Sequence, residues 1–242
     1  MKVITIFALA ASLMLLAACQ DLMLENVARD FGLSGLTLNQ GILDDGTIIK
    51  GLKEALSVGT ERAVGVVSRQ NGYFGNQVIK VLMPEKMRNV AELLGKVGFQ
   101  RQVDEFVLSM NRAAEKAAPV AVEYFVVAIR EMTFADARQI LKGGDTAATE
   151  YFRAKTATRI SDAFKPSVAK SLTDVGATRT YKSMMATYRS LPFTSTTSFD
   201  LDQYVTAKAV DGLFTMLGEE EKKIRSNPAA RTTELLRKVF AG

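Results

Sequence analysis

The sequence predicts an all-α fold: a single compact bundle of about eight to ten helices, with at most one short isolated strand. Two observations carry this. Apolar residues recur at spacings of three and four almost without interruption from residue 44 onward, and Gly or Pro punctuates the runs. The composition, 48% hydrophobic and 24% charged over 242 residues, is that of a globular chain and not a disordered one.

Each element has its own signal. Ile48, Leu52, Ala55 and Leu56 repeat at helical spacing; Gly59 and Thr60 punctuate before Ala63, Val64 and Val67, and Asn71-Gly72 ends this pair of segments. Residues 77–83 are the one plausible strand, too isolated to build a sheet. Pro84 suits a first helical position, with Met87, Val90, Ala91, Leu94 and Val97 following and Gly98 as the stop. From about residue 101 to 132 one stripe runs through Val103, Phe106, Met110, Ala113 and Ala117. It resumes after Pro119, which should kink or divide the helix.

Thr133 and Asp136 have capping-box spacing for a helix that reaches Leu141 and closes at Gly143-Gly144. Asp145 or Thr146 caps the next, which carries Tyr151, Phe152 and Ile160, and a separate segment follows Pro166 at about 167–174. Two more helices span 177–191 and 200–225, the latter opening on Asp200 and Gln203. Asn227 then caps a last helix that starts at Pro228.

The N-terminus carries an address. Lys2 precedes an apolar run from Val3 to Ala18, which is signal-peptide grammar and shorter than the roughly 20 residues that cross a bilayer. Leu16-Ala17-Ala18-Cys19 closes the run in the manner of a bacterial lipobox, which makes Cys19 the expected lipidation site. Two or three acyl chains together anchor a protein firmly, at about 0.8 kcal/mol per buried methylene. By likeness to proteobacterial lipoproteins, Gln20 after the Cys favours the outer membrane, facing the periplasm, with the inner membrane as the alternative. The expected organisation is a signal peptide over 1–18, a lipidated N-terminus and tether over 19–43, and an all-helical domain over 44–242.

Zero His and a single Cys exclude histidine-based triads, disulfides and Cys/His zinc sites. The net charge of +5 gathers between residues 153 and 189. There Arg153, Lys155, Arg159, Lys165, Lys170, Arg179, Lys182 and Arg189 stand against only Asp162 and Asp174. This basic 153–189 region could face anionic lipid or an acidic envelope protein, or be a pair of solvated helix faces. Nucleic acid is not an expected partner, because no basic and aromatic interleaving occurs.

Several phrases resemble a bacterial family known as domain of unknown function 4197: Gly51–Leu56, Met110–Pro119, Met132–Ala137, Asp145–Thr149, Tyr204–Lys208 and Ile224–Thr233. In order and spacing they span nearly the whole chain from about residue 33. The resemblance implies an exported helical protein of Gram-negative bacteria, often with a lipoprotein signal. It brings no activity, cofactor or catalytic residue.

Two polar groups are candidate ligand or partner sites. At about 100 degrees per residue, Asp104, Asn111 and Glu115 share one strip beside the apolar stripe, and Arg112 reaches Glu115 at i+3. Such a strip could line a cleft; the expected role is hydrogen bonding that fixes neighbouring helices. Arg225, Asn227 and Arg231, around the last turn, could form an anion or carboxylate pocket. Ordinary capping plus a surface Glu221–Arg225 pair is the simpler account, and the Glu219–Lys223 run reads as a solvated face. Among Asp200, Asp202 and Asp211 an oxygen-only metal site is conceivable, but Asp200 fits better as a cap, so no metal or cofactor is expected. Gly143-Gly144-Asp145-Thr146 lacks the rest of a phosphate loop.

The expected function is therefore non-enzymatic: a lipid-anchored binding or scaffolding component of the cell envelope, held to the membrane through Cys19. A carrier of a lipid or other amphiphile between helices is the alternative, ahead of a carboxylate-based hydrolase.

Overall fold

The computed structural model describes residues 45–192 and 199–239, and Cys19 with the expected signal peptide and tether lies outside the described residues. Nine α-helices and three single-turn 3-10 segments form among the described residues, and no strand does. The helices are α1 (Asp45–Ser68), α2 (Arg88–Lys96), α3 (Gln100–Ala117), α4 (Ala121–Glu131) and α5 (Phe134–Lys142). After them come α6 (Ala147–Asp174), α7 (Ala177–Arg189), α8 (Leu201–Ser226) and α9 (Glu234–Val239). The all-α bundle expected from the periodicity is the fold.

Long helices α6 and α8 make the most extensive pair, with α1, α3 and α4 packed around them. Phe125 of α4 meets Phe152 of α6 at 5.4 Å and Phe214 of α8 at 5.7 Å, both edge-on, so one ring ties three helices at the centre. Such pairs add about 0.5–1.5 kcal/mol each beyond their burial. Ala113, Ala114, Ala117, Ala118 and Ala121 are fully buried, and their small side chains let neighbouring helices approach closely.

Local punctuation acts largely where the sequence places it. Pro119 divides the long helical stretch through a 3-10 turn at Ala118–Val120. Gly98, at φ 91, ends α2: the Phe99 N–H reaches Leu94 O at 2.8 Å and the Gly98 N–H reaches Gly95 O at 3.2 Å. Thr133 and Asp136 form the reciprocal capping box of α5.

Four expectations are corrected. Gly59 and Thr60 do not break α1, because the stripe Leu52, Leu56, Ala63 and Val67 runs straight through them. Pro166 does not divide α6: it is exposed, so the carbonyl it leaves unpaired can face water, while buried Phe164 and Val168 hold both halves in place. Residues 77–83 form no strand, since the fold offers no second strand to pair with; residues 77–79 turn and 80–84 carry no regular structure, with both polar groups of Val81 paired by Asn111. Finally, Asn227 opens a 3-10 turn at Pro228–Ala230, and the last helix begins only at Glu234.

The segment between α1 and α2 is seated by a close approach on α8. A Cβ on Gly212 would lie 2.6 Å from Tyr73 Cε1 and 3.2 Å from Ile79 Cβ, whereas one on Gly65 in α1 would meet nothing within 4 Å. Gly65→Ala should stabilise by up to about 1 kcal/mol through helix propensity. Gly212→Ala has the same propensity gain but should fall below Gly65→Ala by roughly 1–3 kcal/mol, the overpacking term, when both are compared in urea melts.

Candidate functional site

The polar strip on α3 converges on the non-helical segment that precedes α2. Asn111 is fully buried. Its Oδ1 accepts the Val81 N–H at 2.8 Å, while its Nδ2 donates to Val81 O and to Val107 O, both at 2.8 Å. One side-chain amide thus pairs both polar groups of Val81, as a neighbouring strand would. One turn further, Glu115 Oε1 accepts the N–H groups of Tyr73 and Phe74, each at 3.2 Å, and Oε2 takes Arg112 Nη1 at 2.6 Å. Arg112 continues to Asn71 Oδ1 at 2.7 Å. Tyr73 is buried and donates its hydroxyl to Ala209 O at 2.6 Å; burial, then the neighbouring Glu115, push its ionisation far up, so it remains a donor. Asp104 leaves the group: it is exposed and accepts Gln100 Nε2 at 2.8 Å.

The second group bonds the protein's own backbone and Glu221. Arg231 donates to Ile224 O at 3.0 Å and to Arg225 O at 2.8 Å, closing carbonyls at the end of α8. Asn227 Oδ1 accepts the Ala229 N–H at 2.9 Å. Arg225 donates Nη2 to Ile140 O in the last turn of α5, at 2.8 Å, and Nε to Glu221 at 2.9 Å.

Glu221 is the residue that sequence reasoning missed. Read as part of a solvated run, it is only 8% exposed, and Glu220 is likewise buried beside Lys223. Its Oε1 accepts the Ala148 N–H at 2.9 Å; Oε2 accepts the Thr149 N–H and hydroxyl, both at 2.8 Å. These are donors of the first turn of α6, so a carboxylate from α8 caps that helix. Thr146, at the N-cap position, instead donates its hydroxyl to Glu150 Oε1 at 3.2 Å. The signal was available: Leu213, Leu217, Glu221 and Ile224 continue the buried stripe of α8 at spacings of four, four and three. Beside Glu221 the space between α1, α6 and α8, lined by Leu52, Leu56, Phe152 and Ile224, is about 20 Å³. That suits one water molecule.

A third polar group lies at the surface. Clefts of about 490 Å³ and 290 Å³ share Asp136, Tyr151 and Lys155 in their walls. The Thr133 hydroxyl and N–H, at 2.6 and 2.9 Å, hold the Asp136 carboxyl below its usual range, assisted by nearby Lys155 and Tyr151. Partial burial and then Asp136 and Glu131 push Tyr151 up. A groove of about 600 Å³ separates residues 77–88 from α8. Of the basic stretch, Arg153 pairs with Asp211 at 3.3 Å and lies 4.6 Å over the Phe214 ring, and Lys170 pairs with Asp174 at 3.1 Å. Arg159, Lys165, Arg179, Lys182 and Arg189 are exposed on α6 and α7. Asp200 caps α8 through the Gln203 N–H at 2.9 Å. No three carboxylate or thiol groups converge in metal-binding geometry among the described residues.

Two outcomes follow. Asn111→Ala strands both polar groups of Val81 and should lower stability by roughly 2–4 kcal/mol. Glu221→Ala leaves an uncapped helix start beside a buried guanidinium and should lower it by roughly 3–5 kcal/mol; urea denaturation measures both. Acid provides an independent check. Because the folded-state pKa of Asp136 is depressed, its stabilisation is complete above the unfolded value of about 3.9 and is lost as pH falls through the folded value. Asp136→Asn should therefore flatten the acid limb of the melting-temperature profile and lower the plateau above it.

Among the described residues no helix is long and apolar enough to cross a membrane. No curated protein and no solved structure matches the chain. A family model described as Protein of unknown function (DUF4197) matches residues 42–241, a span that takes in the α3 strip, the Glu221 cap and the groove, and the chain belongs to that family.

Proposed function

We propose that the chain is a lipid-anchored, periplasm-facing binding or scaffolding component of the bacterial cell envelope, with no enzymatic activity and no cofactor. The observation that carries this reading is how its polar side chains are used. Asn111, Glu115, Glu221, Arg225 and Arg231 are engaged in hydrogen bonds to backbone, and Arg112 in bonds to the Glu115 and Asn71 side chains, which leaves surfaces as the parts best suited to recognition. Exposed cations on α6 and α7 offer one such surface, to anionic lipid or an acidic envelope protein. The anchor rests on the basic start, the Val3–Ala18 run and Cys19, and Gln20 favours the outer membrane.

An amphiphile carried between helices has less support. The gap among α1, α6 and α8 is about 20 Å³, whereas ligand pockets generally measure about 300–1,000 Å³.

Fractionation in a Gram-negative host tests the proposal. Wild-type chain should sediment with the outer membrane and require detergent for release, while Cys19→Ser should appear in the soluble periplasmic fraction. A Cys19→Ser chain that stays with the membrane overturns the anchor. Native mass spectrometry of the detergent-released chain should show the acylated mass alone; a second, stoichiometric lipid would favour the carrier.

A further inference from the structure

We infer that the groove between residues 77–88 and α8 receives an extended, acidic segment of a partner protein, which adds to the backbone of residues 80–82 as a parallel strand. This deepens the binding-protein reading and rests on it.

The backbone supplies the first observation. In extended chain, successive residues turn their N–H and C=O groups to opposite edges. Val81 spends both of its groups on Asn111, so Lys80 and Leu82 address the other edge. Among the described residues neither the Lys80 C=O nor the Leu82 N–H has a hydrogen-bond partner. Tyr204 of α8 donates its hydroxyl to Leu82 O at 3.0 Å, which places the groove on that edge. One residue of a parallel strand donates to Lys80 C=O and accepts from Leu82 N–H, so the Tyr204 bond survives docking. Asn111 thereby holds Val81 by one edge and leaves the other edge open, the arrangement that strand addition requires.

Side chains supply the second. Val78 and Leu82, at 77% and 60% exposure, are the most exposed large apolar residues among those described, and both line the groove. An uncovered apolar edge of this kind is normally blunted or occupied.

Charge then selects the occupant. The two groove carboxylates are committed, Glu85 to Arg88 at 3.5 Å and Asp211 to Arg153 at 3.3 Å. Lys80, Lys86 and Lys208 also line the groove, and none has a carboxylate within ion-pair distance among the described residues. The guest is therefore acidic as well as apolar.

Full-length chain, immobilised through a C-terminal tag and panned against random octapeptides on phage, tests this. Enriched sequences should alternate apolar residues with Asp or Glu. A synthetic peptide of that sequence should slow hydrogen exchange at the Leu82 amide. Joint Lys80→Glu and Lys208→Glu should weaken it about tenfold or more with the thermal melt unchanged, and Lys→Arg at both positions should retain binding. The proposal is overturned by no enrichment, by peptides indifferent to charge reversal, or by unchanged exchange at Leu82. It is equally overturned if dihexanoyl-phosphatidylglycerol shifts the groove amides while no peptide is enriched, an outcome that marks an amphiphile site. Neither readout depends on Cys19, so failure here leaves the anchor standing, and failure of the anchor leaves the peptide result readable.

Discussion

Every backbone N–H and C=O taken out of water needs a partner, and a fold made only of helices provides none outside each helix's own ladder. Two places in this protein meet that constraint with a carboxylate or amide side chain from a distant helix. The segment between α1 and α2 is buried in part without helix or ladder, and Asn111 with Glu115 pairs Tyr73, Phe74 and Val81 from α3. The first turn of α6 is buried against α8, and Glu221 pairs Ala148 and Thr149. Removing a buried partner exposes the full desolvation cost of what it served, about 1–3 kcal/mol per group. The packing of α1, α6 and α8 therefore presupposes these bonds as much as it presupposes the Phe125 cluster.

What could be read in advance divides along sequence distance. Pro119, Gly98 and the Thr133–Asp136 box act within four or five residues, so their chemistry and their location are visible together. Gly59 and Pro166 carry the same local signals yet are overruled, one by the buried stripe that runs through it and the other because its solvent-facing position makes the lost bond cheap. The α3 strip was legible as a face but not in its targets, since Val81 lies 30 residues away and Tyr73 lies 42. Glu221 was obscured by composition: a run of five charged residues suggests solvent, although the phase of α8 places this one inside. The Arg225, Asn227 and Arg231 group was found as a group, and only the fold reveals that its members bond carbonyls and amides in place of an anion.

The same accounting separates structure from recognition. Glu115, Glu221 and Arg225 are bound to main chain, and their geometry is fixed by at least two partners apiece. Exposed groups with unused bonding capacity include those along one edge and one face. The groove beside residues 77–88 combines apolar exposure with backbone donors and acceptors, whereas the α6 and α7 surface is a field of separated cations. The first suits stereospecific contact and the second suits long-range attraction, which salt screens over about 10 Å.

The Glu221 cap also orders events in time. Its acceptors serve amides 72 and 73 residues earlier in the chain, so α6 cannot be closed at its start by anything made before α8. A polypeptide emerging from its N-terminus therefore carries its longest helix unfinished until nearly the whole body is present. The cap then forms only with a contact between distant segments, whose closure cost rises slowly, with the logarithm of the chain that has to be gathered.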